Sequence, residues 1–314
     1  MEYLLLLLGL VMLIGGAELL VKGAVSVALR FRVSMLVIGM TIVSLGTSAP
    51  ELLVTIKSAL EGHADLGLGT VLGSNISNIT LVLGITAMVL PVTVQRDSIV
   101  IDWPMMMVAT VLLYLLALDG SIHFWEGLFF VVLLTVFGTW LVYQSRKKNN
   151  DVLSAEEFKE KAGTITTMLR DLTLVVIGCV GLAYGADFLV EGATAIARDY
   201  NVSERVIGIT MVAFGTSVPE LITSVVAAYR GKADISIGNL IGSNLFNILA
   251  ILGISSMIKE IPVSDVVLRI DMIWVLAISA FLLPLMLIGR KVNRWKGGLL
   301  TLIYTIYIFF VFKQ

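Results

Sequence analysis

The sequence predicts an all-α membrane protein: ten transmembrane helices in two five-helix repeats of inverted topology. Three observations predict it. Of 314 residues, 58% are hydrophobic and only 14% charged, with mean hydropathy +0.96, whereas a soluble domain carries about 45–50% apolar and about 25% charged residues. The apolar residues fall into ten runs near the ~20-residue length that a spanning helix needs. The hexapeptide GTSAPE at Gly46–Glu51 returns as GTSVPE at Gly215–Glu220, 169 residues later.

The same composition excludes other classes. A net charge of −1 gives no electrostatic case for nucleic acid. Cys179 is the only cysteine, so no intrachain disulfide and no cysteine metal site can form. His63 and His123 are too few and too far apart to suggest zinc. No cofactor is expected, and no obligate protein partner is evident; the lipid bilayer is the surrounding the composition demands.

The first run, roughly residues 3–28, starts almost at once and lacks a basic leader, so it reads as a membrane helix rather than a cleaved signal. The second, roughly 34–60, contains the first hexapeptide, and the third, roughly 66–90, contains Gly73-Ser74-Asn75-Ile76-Ser77-Asn78. The fourth and fifth fall near 103–118 and 124–143; Met105–Met107 in the fourth read as lipid-facing or core surface. A polar stretch follows at Gln144–Asp171, with Arg146-Lys147-Lys148 and then Ser154-Ala155-Glu156-Glu157, which fits a capping box opening a short helix. It reads as a linker. Five more runs come at roughly 172–197, 205–229, 235–258, 270–289 and 297–312. The expected organisation is therefore a first repeat over 1–143, a linker over 144–171 and a second repeat over 172–314.

The spacing of 169 holds well beyond the hexapeptides. Gly16-Ala17-Glu18 maps to Gly185-Ala186-Asp187, Gly23-Ala24 to Gly192-Ala193, Ala64-Asp65 to Ala233-Asp234, Gly73-Ser74-Asn75 to Gly242-Ser243-Asn244, and Asn78 to Asn247. A constant offset over this length marks a duplication. Five helices is an odd number, so the second copy enters the membrane in the opposite sense. In such inverted repeats, substrate sites lie near the midplane between the copies. With the N-terminus outside, the inside loops hold fifteen Lys and Arg and the outside loops six. The bias places both termini outside and the linker in the cytoplasm, as expected for a multi-pass protein of the plasma (inner) membrane.

A carboxylate in a spanning helix costs roughly 2.5–3.5 kcal/mol on insertion scales. The chain places one twice, as Glu51 and Glu220, and together they can neutralise one divalent cation. Pro50 and Gly46 should loosen the helix and free carbonyls near Ser44–Thr47, while Thr47 and Ser48 add hydroxyl oxygens. Thr216, Ser217, Pro219 and Glu220 repeat that inventory. Calcium takes 6–8 oxygen ligands, and the lack of sulfur or imidazole disfavours transition metals. Ser74 and Asn78 lie four apart on one helix face, as do Ser243 and Asn247; they suit sodium, or complete a shell around a more highly charged ion. Simple packing accounts for the glycines. Asn75 and Asn244, one step round the helix, read as interhelical hydrogen-bonding groups. Glu18 and Lys22 are spaced to pair, and Asp65 and Asp234 read as helix caps.

The two GTSxPE segments, the two GSN…N segments and the five-plus-five plan together resemble the alpha repeats of the sodium/calcium exchanger family, within the calcium/cation antiporter superfamily. The resemblance covers essentially the whole chain. It implies a prokaryotic-type exchanger without a regulatory loop domain: not an enzyme, but a secondary active antiporter working by alternating access. By residue match, Thr47, Glu51, Thr216 and Glu220 would carry Ca2+, and Ser48, Ser74, Asn78, Ser217, Ser243 and Asn247 would form or line Na+ sites. The resemblance implies three Na+ per Ca2+ and hence electrogenic exchange. Some relatives, potassium-dependent exchangers among them, carry aspartate where this chain has Asn247, so K+-independent transport is expected. A Ca2+/H+ antiporter is the alternative within the class, although that branch typically has GNxxE in place of GTSxPE. An ion channel is a further reading, which the inverted repeat argues against. For an intramembrane enzyme, neither Cys179 nor any serine has an evident paired base.

Overall fold

The computed structural model describes residues 2–62, 64–150, 165–200 and 204–313. The fold is all-helical. In the first repeat, α1 is Glu2–Phe31 and α2 is a bent rod of Met35–Thr47 and Ala49–Glu61. α3 runs through Ala64–Ser77, a π-helical turn Asn78–Val82, and Leu83–Val89. α4 joins a π-helical turn Ser98–Asp102 to Trp103–Leu116, and α5 is Phe124–Asn150. In the second repeat, α6 is Ile165–Asp199 and α7 is Glu204–Tyr229. α8 runs through Ala233–Phe246, a π-helical turn Asn247–Leu252, and Gly253–Ile258. α9 joins Val267–Asp271 to Met272–Leu287, and α10 is Arg294–Lys313. Among the described residues, seven helices are long and apolar enough to cross a membrane, and the bent pair makes an eighth.

Helix beginnings and ends follow from local chemistry. Ser34 caps α2, its Oγ accepting the Val37 amide at 3.2 Å. Gly62 closes the second half of α2 at φ 91°, a left-handed conformation that glycine adopts without strain. Lys296 donates its ammonium to the carbonyls of Leu285, Ile288 and Lys291, satisfying the end of α9.

Short two-residue strands tie the repeats together. β1 (Val92–Thr93) pairs antiparallel with β4 (Lys291–Val292), and β2 (Ser121–Ile122) pairs with β3 (Ile261–Pro262). The duplication is visible here too: β1 corresponds to β3 at the constant offset, and β2 to β4 at one residue more.

α1 and α6 meet backbone to backbone through glycines that the duplication repeats. A Cβ on Gly9 would stand 2.6 Å from the Leu189 amide, one on Gly185 2.8 Å from the Leu13 amide, and one on Gly178 2.6 Å from the Leu20 amide. In lipid, where no hydrophobic force drives helices together, such close approach is what holds a pair. α3 and α8 lie at the centre: 83% and 78% of their spanning windows are buried, against 17–39% for the other candidate spans. The larger apolar core packs around these two, with Leu72, Ile76, Ile79, Ile241, Leu245 and Ile248 all at 2% exposure or less.

Several expectations change. α5 continues to Asn150 and α6 begins at Ile165, so both ends of the polar stretch are helical; Ser154–Glu157 lies outside the described residues. Glu18 pairs with Arg230, the residue after α7, at 2.5 and 3.0 Å, rather than with Lys22. Lys232 occupies the cap position of α8 and Asp234 sits inside its first turn; Asp65 likewise falls within α3. Neither is a cap. The Ser44 carbonyl accepts the Ser48 amide at 2.9 Å, so at that residue the ladder is intact.

Candidate ion-binding centre

The centre forms where α2, α3, α7 and α8 cross. In α2, Ser48 leaves the helical region at φ −89°, ψ 7°, and the two halves meet at 48°. Pro50 then occupies the first turn of the second half, where its missing N–H costs nothing. Glu51 stands in that same first turn, where helix-end amides favour a negative charge. α7 carries the matching Pro219 inside a continuous helix. One hexapeptide thus breaks its helix and its copy does not.

Glu51 and Glu220 are each 1% exposed and lie close enough to feel each other's charge. No basic side chain pairs with either among the described residues. Ser48 crosses from the first repeat to donate its hydroxyl to Glu220 Oε1 at 2.9 Å. Thr216 Oγ1 and Ser74 Oγ approach at 3.4 Å, joining α7 to α3. Thr47 donates to Asn239 Oδ1 at 3.2 Å, and the Asn239 amide donates onward to Ser224 Oγ at 3.3 Å.

The asparagines divide the work. Asn78 Nδ2 donates to Asn244 Oδ1 at 3.2 Å, and Asn247 Nδ2 donates to Asn75 Oδ1 at 3.0 Å. Asn75 Nδ2 reaches the Asn244 carbonyl at 3.5 Å. Asn75 and Asn244 are therefore the hydrogen-bonding groups anticipated for them, and they take up the amide nitrogens of Asn78 and Asn247. The carbonyl oxygens of those two are left over.

Among the buried side-chain oxygens without a hydrogen-bond partner are six from the candidate site residues: Glu51 Oε2, Glu220 Oε2, Asn78 Oδ1, Asn247 Oδ1, Ser217 Oγ and Ser243 Oγ. An unsatisfied buried polar group costs roughly 1–3 kcal/mol, so a ligand that engaged these six would recover a sizeable penalty. Four of them are acceptors with no hydrogen to give, which is the chemistry of a cation shell. All are hard oxygen donors, and among the described residues no group of three or more His, Cys, Asp or Glu converges as a soft-metal or carboxylate-rich cage would.

Of the ten residues singled out from sequence, Thr47, Ser48, Glu51, Ser74, Asn78, Thr216, Glu220 and Asn247 take part in these contacts between helices, while Ser217 and Ser243 are buried on the same helices; Thr216 is partly exposed where Thr47 is fully buried. Asn239 was not anticipated. The available signal was its place four residues before Ser243 on an otherwise apolar helix, hence on the same face. The π-helical turns that open at Asn78 and Asn247 were also unforeseen; such turns occur frequently at functional sites.

Comparison with known proteins agrees with this geometry. The family described as "Sodium/calcium exchanger protein" matches residues 1–143 and 171–313. Sodium/calcium exchanger MaX1 of Methanosarcina acetivorans is 30% identical over 99% of this chain and 98% of its own length. Inner membrane protein YrbG of Escherichia coli is 36% identical over 81% of this chain and 79% of its own. The solved structure of the sodium-calcium exchanger NCX_Mj soaked with 10 mM Na+ and zero Ca2+ superposes with a TM-score of 0.83 at 31% identity, covering 98% of this chain and 97% of that one. A ten-helix, two-repeat antiporter fold and a buried oxygen centre converge with these matches on one assignment: the chain belongs to the sodium/calcium exchanger family.

Proposed function

We propose that this antiporter exchanges Na+ for Ca2+. The observation that carries the reading is the pair of buried carboxylates, each with one unpartnered oxygen, within a shell made only of oxygen donors. Glu51, Glu220, Thr47 and Thr216 carry Ca2+. Ser48, Ser74, Asn78, Ser217, Ser243 and Asn247 form the Na+ sites or line them. Ser48 also steers Glu220 through its 2.9 Å hydrogen bond. The two repeats, 1–143 and 172–314, rearrange about this centre, and the connecting stretch lies in the cytoplasm with both termini outside the inner membrane, as the Lys and Arg bias supports.

Charge balance sets the consequence. With both glutamates ionised, the empty centre carries −2. One Ca2+ brings it to zero and so would two Na+; three Na+ bring it to +1. Six neutral ligands leave room for ions beyond a central one, and the family resemblance implies three Na+ per Ca2+. The extra charge then crosses the membrane, where potential contributes about 2.3 kcal/mol per charge per 100 mV. The test is calcium-45 uptake into vesicles under an opposing Na+ gradient, repeated at several clamped potentials. Inside-negative potential should drive Na+ entry and Ca2+ extrusion. Uptake driven by a proton gradient without Na+ would replace this reading with Ca2+/H+ exchange, and voltage-indifferent flux would leave two Na+ per Ca2+.

A further inference from the structure

Away from the centre, a cavity of about 650 Å³ opens at the linker-side ends of the helices. The first turn of α2, α4, the last turns of α5 and the first turn of α8 enclose it. Its charged lining includes Asp97, Asp102, Asp234, Lys147 and Lys148, with Gln95 and Gln144 as neutral oxygen donors.

The acids in it are not equivalent. Asp97 is paired with Lys148 at 2.8 Å. Asp234 is hydrogen-bonded by the Gln95 side chain and has Lys232 nearby. Asp102 has no cation beside it, and its one source of relief is the neighbouring Ser98 hydroxyl. It is 1% exposed, its Oδ2 has no hydrogen-bond partner, and the charge it feels is that of Asp97, of the same sign. It is in no described salt bridge. A carboxylate so placed in a membrane helix is costly, and nothing in the exchange centre uses it. The duplication sets another aspartate, Asp271, at the equivalent position of α9.

The cavity's position supplies a use. α2 and α8 both begin at it, and deeper turns of the same helices carry Thr47, Ser48, Asn239, Ser243 and Asn247. Between cavity and centre the two helices are pressed together. A Cβ on Gly238 would strike the Leu36 carbonyl, and one on Gly242 would stand 2.5 Å from Met40 Cα. The sequence along this axis is therefore a chamber with an acid that no cation pairs, a seal, and the ion centre.

We propose that this cavity is a cation antechamber on the linker face, in which Asp102, assisted by Asp234 and the Gln95 and Gln144 side-chain oxygens, holds a hard metal cation before it enters the centre from that side. No three acids converge there among the described residues, so the cation keeps part of its water and is held weakly. A waiting site requires that, since binding must be favourable enough to admit an ion and weak enough to release it. The proposal rests on the exchange reading for its purpose, but not for its binding chemistry.

Two measurements separate these layers. In a Cys179→Ala background, Ile101→Cys places a single thiol on the cavity wall. Labelling it from the linker side with positively and negatively charged thiosulfonates reports the local field without any transport. The positive reagent should react faster, and millimolar Ca2+ should slow it. Asp102→Asn should lower the ratio of the two rates by roughly tenfold, the low end of the scale on which a charged cleft concentrates counter-ions, and should remove the Ca2+ protection. A ratio and protection unchanged by Asp102→Asn overturn the antechamber. The second measurement is the KM for Ca2+ from each face, in right-side-out and inverted vesicles. Asp102→Asn, and more weakly Asp234→Asn, should raise the linker-face KM and leave the opposite face and the maximal rate alone. A rise of equal size on both faces would assign Asp102 to the centre itself and overturn the proposal. Wild-type vesicles without Na+-driven flux would instead sink the exchange reading, while the labelling result would still decide the antechamber.

Discussion

α3 and α8 are copies of one another, yet their first three turns have different surroundings. On α8, Gly238 and Gly242 are pressed against Leu36 and Met40 of α2, Ile235 is 0% exposed, and Asn239 is fully buried between Thr47 and Ser224. On α3, no described heavy atom lies within 4 Å of a Cβ added at Gly69 or Gly73, the equivalents of Gly238 and Gly242. Leu66 there is 56% exposed and Thr70 bonds only to its own helix, through the Leu66 carbonyl at 2.9 Å. One duplicated sequence thus holds two arrangements at once. The centre is sealed where α8 meets α2 and less covered beside α3, where Thr216 is also partly exposed. An exchanger needs two states of similar energy, and exchanging the roles of α3 and α8 describes the second state without any new packing motif.

The largest expected effect ignores this asymmetry. Glu51 and Glu220 are equally buried, and each supplies one of two formal charges. Glu51→Gln and Glu220→Gln should each reduce Ca2+ flux by about a hundredfold or more, roughly 2.7 kcal/mol of lost stabilisation, with helical content retained. Near wild-type flux from either variant would remove the pair from the mechanism.

The next effect depends on the asymmetry. Gly238→Ala and Gly242→Ala force a methyl into the α2–α8 contact. Overpacking costs typically 1–3 kcal/mol, so thermal stability in detergent should fall together with flux. Gly69→Ala and Gly73→Ala meet open space in this arrangement, and alanine is about 0.8–1.0 kcal/mol better than glycine in a helix. Their stability should hold or rise. Flux should still fall, because α3 must close in the other state. Equal stability losses from both pairs would mean that the two helices do not exchange roles.

Much of this architecture was legible in the sequence, because it rests on composition and duplication. The ten runs and the constant offset report which segments meet lipid and which copy which. The candidate site could be picked out for a similar reason: a repeated carboxylate in an apolar run has few structural uses. What escaped detection depends on contacts distant in sequence. Pro50 and Pro219 sit in the same hexapeptide, yet α2 bends at Ser48 and α7 runs on; tertiary context decides whether a proline breaks a helix or is absorbed. Glu18 looked paired to Lys22, one turn away, but Arg230 reaches it from the other repeat. α5 passes beyond its apolar stretch through Arg146-Lys147-Lys148, residues with good helix propensity that need no lipid. The π-helical turns have no compositional signature.

A smaller effect should separate Asn239 from Thr70, its equivalent in the first repeat. Asn239 bridges Thr47 and Ser224, so Asn239→Ala removes a buried hydrogen bond to Thr47, a proposed Ca2+ ligand. At about 1 kcal/mol net, apparent Ca2+ affinity should weaken several-fold. Thr70→Ala breaks only a bond to its own helix backbone, and its effect should be near zero. A titration of Ca2+-dependent flux checks both, and an equal response from the two would place Asn239 among packing groups.

The smallest expected effect is no effect at all, and it tests where the two repeats agree. Asn78 and Asn247 are equivalent, both fully buried, and each spends its nitrogen on an asparagine of the opposite repeat. Each presents a neutral oxygen to the centre. With no third formal charge at either position, the centre balances one Ca2+ with its two glutamates and has no charge left to demand K+. Replacing K+ by an inert organic cation should leave Na+-driven Ca2+ flux unchanged. Asn247→Asp would raise the charge of the empty centre to −3 and break the equivalence of the repeats. Flux in that variant should become slower and K+-stimulated, since a further monovalent cation then restores neutrality beside Ca2+. An absolute K+ requirement in the unmodified chain would show that a charge elsewhere takes the place of the missing aspartate, and the neutrality of Asn247 would no longer explain ion choice.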